Sequence, residues 1–208
     1  MIAVIDYGMG NLHSVAKGFA KVGVEARVTS DPRAVVEADG VVLPGVGAFG
    51  DAMFNLRHLG MLDAIRRVVK EGRPLLGICL GMQLLFSESE EHGRHVGLHL
   101  IPGKVRRFQG DFKIPHMGWN DLTICRPDHP LVDGVKNGDF VYFVHSYYAE
   151  PQDPGVVVAD TDYHVRVPAI VAKDQVMGMQ FHPEKSSDIG LRMLRNFADL
   201  CGERVGQA

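Results

Sequence analysis

The stretch from Leu75 to Leu85 constrains this chain more than any other. It begins with an apolar run typical of a buried strand, continues through Gly-Ile-Cys-Leu-Gly at 77–81, and then becomes helical to about Ser87. A residue between a strand and a helix lies on a sharp turn, which flanking glycines permit. The helix N-terminus places partial positive charge and free backbone N–H groups beside the sulfur of Cys79, and both favour the thiolate. The pattern predicts a cysteine nucleophile, with a buried structural cysteine as the alternative.

A histidine and a glutamate that could act with this cysteine lie far along the chain, in Gly-Met-Gln-Phe-His-Pro-Glu-Lys at 178–185. Pro183 is expected to hold the chain extended, so that His182 and Glu184, two positions apart, point to the same side. A carboxylate beside an imidazole fixes its tautomer and stabilises the imidazolium, which is the orienting role in a catalytic triad. Cys79, His182 and Glu184 are therefore candidate catalytic residues.

Strands and helices alternate through the first half of the chain. Each of four apolar strands is followed by a helical pattern, at 2–7, 24–29, 40–43 and 75–78. Such alternation predicts a parallel sheet with right-handed crossovers, in which ligands bind at the carboxyl ends of the strands. The long helical pattern over 53–70 is broken near Gly60.

From about Gly97 the pattern changes to short strands with Gly and Pro turns. They include one strand at 140–148 and a pair at 169–172 and 177–181, before a helix at 187–200. We expect one α/β domain over residues 1–208, with a mostly parallel central sheet flanked by helices and an antiparallel extension in the second half.

Composition excludes several classes of function. The net charge of −3 gives no reason to expect binding to nucleic acid or to a membrane surface. No apolar run approaches the length of a membrane span, and no secretory signal is visible at the N-terminus. The 3 cysteines are widely spaced and have no obvious pairing, which favours a reducing compartment and predicts a cytoplasmic protein.

Two weaker patterns suggest cofactors but favour none. Gly8 and Gly10 resemble the start of a dinucleotide fingerprint, but His13 stands where the third glycine should be, so a plain strand–helix turn is favoured. A zinc site is the alternative to a solvated loop for a histidine group at spacings of three and four: His92, His95 and His99. The glycines between them disfavour the helix that a metal site would need. We expect no cofactor and no metal.

The two motifs around the candidate triad together resemble the class I, triad-type glutamine amidotransferases, a family with a flavodoxin-like fold. The resemblance covers nearly the whole chain. Four further segments are similar to one branch of that family, whose members serve imidazole glycerol phosphate synthase in histidine biosynthesis: 6–12, 44–47, 116–120 and 142–147.

The resemblance also suggests roles for residues around the nucleophile. Two glycines in Pro-Gly-Val-Gly at 44–47 let backbone N–H groups face a ligand, and the resemblance favours Gly45, Val46 and Leu80 as oxyanion donors over a plain turn. Gln83 lies one helical turn past Cys79 and is expected to face the same site, with a solvent-facing side chain as the alternative. By resemblance, the amino-acid end of the substrate is held by Gly47, Gln83, Ser146 and Tyr147.

Trp119, the single tryptophan, is either a core aromatic residue or an anchor for a partner. The resemblance favours the partner and assigns four residues to the contact: Asn11, Trp119, Tyr142 and Lys185. His145, the main competitor of His182 as a base, lies in an apolar strand without a nearby carboxylate and is interpreted as a hydrogen-bonded core histidine.

The function that the resemblance implies is hydrolysis of glutamine through a cysteine thioester. The ammonia would pass to a (βα)8-barrel cyclase subunit in a heterodimer, which makes imidazole glycerol phosphate and aminoimidazole carboxamide ribotide. The sequence shows no P-loop signature, and no repeated strand–helix unit after residue 100, that could serve the acceptor, so we expect one subunit of a complex. Three alternatives remain open: a glutaminase subunit of another synthase, a cysteine hydrolase or peptidase of the same fold, and a non-catalytic regulatory module.

Overall fold

The structure is a computed structural model that describes residues 1–202, which form fourteen strands in three sheets. In chain order the strands are β1 (Ile2–Ile5), β2 (Ala26–Thr29), β3 (Gly40–Leu43), β4 (Leu75–Ile78), β5 (Phe86–Ser89), β6 (His95–Val96), β7 (Ile101–Arg107), β8 (His116–Asp121), β9 (Thr123–Ile124), β10 (Phe140–His145), β11 (Tyr147–Pro151), β12 (Val157–Asp162), β13 (Arg166–Lys173) and β14 (Val176–Met179).

The central sheet has eight strands in the order β2-β1-β3-β4-β14-β13-β12-β9. The first five of these strands run parallel to one another, and the last three continue the sheet in antiparallel pairing. Two smaller sheets, β11-β7-β5-β6 and β10-β8, lie beside it. The predicted α/β fold with an antiparallel extension is confirmed.

Six α-helices accompany the strands. They are α1 (Leu12–Lys21), α2 (Pro32–Glu37), α3 (Phe49–His58), α4 (Met61–Lys70), α5 (Leu80–Leu84) and α6 (Ser187–Leu200). The side chain of Asp31 caps α2 by accepting from the backbone N–H of Arg33 at 2.9 Å, and Pro32 occupies the first turn, where its missing N–H costs nothing. Gly60 separates α3 from α4 at a φ of 71°, as the break in the sequence pattern predicts.

Helices cover both faces of the central sheet. The apolar sides of α2, α3 and α4 pack on one face, and those of α1 and α6 pack on the other. Val41 and Val42, successive residues of β3, are both fully buried, but they pack into the cores on opposite faces of the sheet. Because both faces are covered, the parallel strands are continuous apolar runs in the sequence. None of the helices within residues 1–202 has both the length and the apolar character needed to cross a membrane.

Two sequence-based element predictions were wrong, both because of long-range pairing. The helix after Cys79 ends at Leu84 and not near Ser87, because the Leu84 carbonyl accepts from Leu98 N at 2.8 Å and the chain then pairs as β5. The strand predicted at 140–148 is two strands. Its first part pairs with β8 and its second with β7, so the chain changes sheets at Ser146.

Candidate active site

Cys79 lies on the tight turn between β4 and α5. Its φ of 55° and ψ of −113° are rare for a residue with a side chain, and such strain is concentrated at functional sites. A Cβ at Gly77 would lie 2.5 Å from the Gly81 carbonyl oxygen, and one at Gly81 would lie 1.8 Å from the Leu43 carbonyl oxygen. The turn therefore needs both glycines, as the sequence pattern indicates.

His182 follows β14, the strand that pairs in parallel with β4. The backbone N–H of Cys79 donates to the Met179 carbonyl at 2.8 Å, so that nucleophile and imidazole follow neighbouring strand ends. His182 Nδ1 lies 2.9 Å from Glu184 Oε1, and the two side chains are 3% and 1% exposed. The structure thus brings the three candidate catalytic residues to one edge of the sheet.

The backbone between His182 and Glu184 differs from the prediction. Pro183–Lys185 is a single turn of 3-10 helix and not an extended segment. Ser186 enforces this turn, since its N–H donates to the Pro183 carbonyl at 3.1 Å and its hydroxyl donates to the His182 carbonyl at 2.6 Å. The argument from strand periodicity was therefore wrong, although the predicted imidazole–carboxylate contact is present.

The environment of His182 favours its protonated form. Burial lowers the pKa of His182, but the nearby Cys79 sulfur and the hydrogen-bonded Glu184 carboxylate outweigh burial and raise it to about 9. Among residues 1–202, the buried Nε2 atom has no partner at hydrogen-bonding distance in this structure. With Nδ1 directed at Glu184, Nε2 is the atom available for proton exchange with a reacting group.

A cavity of about 460 Å³ opens at Cys79. The candidate residues that line it are Val46, Gly47, Cys79, Leu80, Gln83, Ser146, Tyr147 and His182. Glu184 lies behind His182 and does not line the cavity. A larger neighbouring cavity of about 670 Å³, between α3 and residues 91–96, has no Cys, Ser or Thr among its lining residues.

The predicted oxyanion donors are not arranged as expected. The Gly45 carbonyl accepts from the Leu80 N–H at 3.3 Å, so this structure uses one predicted donor within the protein and turns a carbonyl toward it. The Tyr7 hydroxyl donates to the Pro44 carbonyl at 2.6 Å and holds the start of the segment. Val46 is 46% exposed, on the cavity rim. The Leu80 N–H is therefore occupied within the protein in this conformation, and the oxyanion role of Gly45, Val46 and Leu80 stays a prediction.

Gln83 and the chain after β10 form the opposite wall of the cavity. Gln83 is 4% exposed, and its amide nitrogen lies 3.1 Å from both the Tyr147 carbonyl and Gln180 Oε1. The solvent-facing alternative for Gln83 is therefore wrong. The carbonyl of Ser146 accepts from the Phe108 N–H at 3.1 Å, which fixes the backbone at the sheet change.

Sequence reasoning missed four polar residues that line this cavity: Glu91, His92, Arg107 and His145. Glu91 comes just after β5 and Arg107 ends β7, and these strands are neighbours only because of a parallel pairing that no local pattern reveals. His145 was interpreted as a core histidine, and it is buried and hydrogen-bonded, but it also borders the cavity.

The predicted contact residues lie on or near one face. Trp119 is 52% exposed and its ring centroid lies 6.0 Å from that of Tyr142, its cross-strand neighbour. Two further apolar side chains of the same β8–β10 pair are about half exposed, Met117 and Phe140. Asn11 and Lys185 are exposed at the ends of neighbouring elements. The Tyr142 carbonyl accepts from the His182 N–H at 3.0 Å, which ties this face to the candidate base.

The histidine group at positions 92, 95 and 99 does not gather around a metal position. His99 Nδ1 lies 2.6 Å from the Ser87 hydroxyl, and His95 Nε2 lies 3.3 Å from the His92 carbonyl. Within the described part of the chain, no three His, Cys, Asp or Glu side chains are placed to hold a metal ion.

Comparison with known proteins places these features in a family. The model of the class-I glutamine amidotransferases matches residues 3–200. The chain is 57% identical over 207 residues to the imidazole glycerol phosphate synthase subunit HisH of Syntrophotalea carbinolica, covering 96% of this chain and 100% of that protein. It is 56% identical over 210 residues to the subunit of the same name from Halobacterium salinarum, covering 98% and 94%.

Solved structures share the fold at lower identity. A crystal structure of a glutamine amidotransferase matches with a TM-score of 0.77 and 21% identity, covering 97% of this chain and 100% of that one. The structure of PurLQS from Thermotoga maritima matches with a TM-score of 0.74 and 18% identity, covering 95% and 97%.

Proposed function

The chain belongs to the class I glutamine amidotransferase family, and we propose that Cys79, His182 and Glu184 are its catalytic triad. The single observation that carries this proposal is the convergence of two distant segments at one cavity, where a strained cysteine and a carboxylate-bound imidazole both line the wall. The protein is the glutaminase subunit of an imidazole glycerol phosphate synthase and acts in histidine biosynthesis. We propose that this function resides in one domain spanning the chain.

The reaction begins with attack of the Cys79 sulfur on the side-chain amide carbon of glutamine. His182, whose pKa is raised to about 9, holds the proton at neutral pH and donates it from Nε2 to the departing nitrogen. Ammonia leaves and a γ-glutamyl thioester remains on the sulfur. His182 then takes a proton from water, which attacks the thioester and breaks its carbon–sulfur bond. This step releases the Cys79 sulfur and glutamate, whose new carboxyl group loses its proton to solvent, and His182 again holds its proton. Glu184 keeps the imidazole in the productive orientation throughout.

Stabilisation of the tetrahedral oxyanion requires a change in the Pro44–Gly47 segment. In the conformation described, the Leu80 N–H is occupied by the Gly45 carbonyl. Rotation of the Gly45–Val46 peptide would free the Leu80 N–H and turn the Val46 N–H toward the cavity. Gly47, at a φ of 109°, and Gly45 provide the backbone freedom for such a rotation.

We propose that the charged residues that line the cavity bind the amino-acid end of glutamine. A free amino acid carries an ammonium and a carboxylate, and the cavity offers Glu91 for the first and Arg107 for the second. Gln83 and the backbone at Ser146 and Tyr147 supply uncharged hydrogen-bonding groups on the same wall. A peptidase would need no such pair of charges beside its nucleophile, so the cavity favours glutamine over an internal peptide segment.

The ammonia must reach its acceptor before water protonates it. We propose that a (βα)8-barrel cyclase subunit forms a heterodimer with this chain and converts its nucleotide substrate into imidazole glycerol phosphate and aminoimidazole carboxamide ribotide. The proposed contact is the β8–β10 face with Trp119 and Tyr142, together with Asn11 and Lys185. Exposed apolar side chains flanked by polar groups are typical of a binding site.

The test is release of glutamate from glutamine as the purified chain is titrated with the cyclase subunit and its nucleotide ligand. We expect a low rate alone, because the oxyanion donors are misplaced, and a large rise that saturates at one cyclase per chain. Trp119→Ala should shift the titration to higher cyclase concentrations without changing the rate of the free chain. High activity that ignores the cyclase would contradict the subunit contact, and the absence of glutamate under every condition would contradict the triad.

A further inference from the structure

We infer that His145 and His116 are positioning residues for glutamine. Their rings are joined in one series of hydrogen bonds, the hydrogen-bond chain, which fixes the Tyr147 carbonyl beside the nucleophile. This inference rests on the proposed glutaminase function. It gives these two histidines a role that involves no proton transfer to the substrate.

The chain of hydrogen bonds runs from the cavity to the proposed partner face. His145 Nδ1 lies 2.7 Å from the Tyr147 carbonyl, and His145 Nε2 lies 2.9 Å from His116 Nδ1. His116 Nε2 lies 3.3 Å from Asn120 Nδ2, which donates to the Asp162 carbonyl at 2.8 Å. Every ring nitrogen of the two histidines therefore has a partner.

The partners determine which nitrogen carries each proton. A carbonyl can only accept, so the proton of His145 is on Nδ1, and its Nε2 must accept from His116 Nδ1. The Nε2 of His116 is then an acceptor for the Asn120 amide. The Asn120 oxygen accepts from the Asp121 N–H at 2.9 Å, which agrees with this orientation of the amide. Both histidines are thus neutral Nδ1–H tautomers.

The surroundings hold both rings neutral and in place. His145 is 6% exposed and His116 is 3% exposed. Burial lowers the pKa of His145 to about 3 and that of His116 to about 4. The His116 ring is stacked against Phe143 at 4.6 Å and against Tyr163 at 4.0 Å between centroids. A proton added to either ring would make two N–H donors face each other, which would break the hydrogen-bond chain.

The end of the hydrogen-bond chain at the cavity shows which group the two histidines position. The Tyr147 carbonyl also accepts from Gln83 at 3.1 Å, and His145 itself lines the cavity. The hydrogen-bond chain therefore fixes the cavity wall on which we propose that the amino-acid end of glutamine binds. Its far end, Asn120, is adjacent to the exposed Trp119, so the glutamine wall and the partner-facing strand are held together.

The first test is imidazole ¹⁵N NMR of the full-length chain labelled at histidine, at pH 7. The two signals are assigned by their loss in His116→Asn and His145→Asn. Both histidines should be neutral with the proton on Nδ1. An Nε2–H tautomer or an imidazolium at either position would overturn the inference. This result does not depend on activity, so it is independent of the proposed function.

The second test compares two variants of equal size in the complex with the cyclase subunit and its nucleotide ligand. His145→Asn keeps a donor where Nδ1 lies, whereas His145→Leu removes it. Loss of a buried hydrogen bond should raise the KM for glutamine of the Leu variant by about tenfold, with kcat within about threefold, and the Asn variant should stay near the wild type.

Equal KM values for the two variants, or a loss confined to kcat, would overturn the positioning role. If His145→Leu does not fold, the pair His116→Asn and His116→Leu gives the same comparison one step further from the cavity, and the same ordering is expected. A wild-type complex that releases no glutamate would contradict the proposed function, while the NMR result would still decide the tautomers.

Discussion

Cys79 and His182 of the proposed triad line the same cavity as the end of the Pro44–Gly47 segment, but the structure prepares the two regions very differently. The triad is assembled: Glu184 holds His182 at 2.9 Å, and the Cys79 backbone is tied to β14. In the segment, by contrast, the Gly45 carbonyl occupies the Leu80 N–H, which is a donor in the proposed reaction. In the proposed mechanism, the groups that move protons are thus built in advance, whereas the group that would stabilise the transition state awaits a rearrangement.

The two regions differ because strand pairing and hydrogen bonds hold them in place to different extents. Cys79 and His182 follow paired strands in the middle of an eight-stranded sheet, and the Ser186 hydroxyl bridges the His182 carbonyl and the Tyr142 N–H. The Pro44–Gly47 segment leaves the sheet after β3 and ends at a glycine with positive φ. Its described anchors are single hydrogen bonds from Tyr7 and Leu80.

Removal of the nucleophile should give the largest effect. Cys79→Ala should lower glutamate release by the complex on the order of 10⁴-fold or more, because no other group can form the thioester. The rate is measured with saturating cyclase subunit and nucleotide ligand. Cys125→Ala is the matched control, an exposed thiol outside the cavity, and should leave the rate unchanged. Substantial residual activity in Cys79→Ala would mean that the strained turn is not where the chemistry occurs.

Loss of the Glu184 carboxylate tests the preassembled region, the proposed triad. Glu184→Gln should lower kcat on the order of 10²–10⁴-fold, because the imidazole loses its orienting charge. Glu150→Gln, on an exposed ion pair with Arg106, is the control and should have little effect on kcat.

The same variant changes the dependence of stability on pH. The pKa of His182 is about 9 in the folded protein against 6.5 when unfolded, so the protonated histidine stabilises the fold fully below pH 6.5. This contribution declines as the pH rises through 9. Urea unfolding from pH 6 to pH 9.5 should show that decline in the wild type and a smaller one in Glu184→Gln. Equal slopes would mean that Glu184 does not raise the pKa of His182.

Adding a methyl group to the Pro44–Gly47 segment should have the smallest of these effects. A Cβ at Gly45 would lie 2.3 Å from the Tyr7 hydroxyl and 3.1 Å from Leu80 Cβ, so Gly45→Ala must displace the segment. We expect kcat of the complex to fall on the order of 10²–10³-fold, the cost of a lost oxyanion donor. Gly138→Ala, at a positive φ with no atom within 4 Å, is the control for backbone strain alone. A faster Gly45→Ala would show that the displaced segment is the productive one.

The parallel half of the fold was predictable because its signals are local. Apolar runs, helical periodicity and the break at Gly60 each lie within a few residues, and their alternation determines the parallel pairing. The cysteine turn was predictable for the same reason, since Gly77 and Gly81 surround it directly.

The remaining errors come from contacts between distant segments. The end of α5 at Leu84 and the sheet change at Ser146 depend on partners that a local pattern does not identify. Glu91 and Arg107 meet at the cavity through the pairing of β5 with β7. The direction of the Gly45 carbonyl depends on one peptide rotation, for which both orientations fit the same Pro-Gly-Val-Gly sequence.

The parallel pairing of β4 with β14 also bears on when the chain becomes chemically active. Cys79 and His182 are separated by roughly a hundred residues, and contacts of such sequence separation form late because a long loop must close first. Until the second half of the chain has folded and β14 has joined the sheet, Cys79 has neither its base nor its cavity. In the proposed mechanism, a newly made or half-folded chain therefore cannot react with glutamine, and completion of the sheet is what makes that reaction possible.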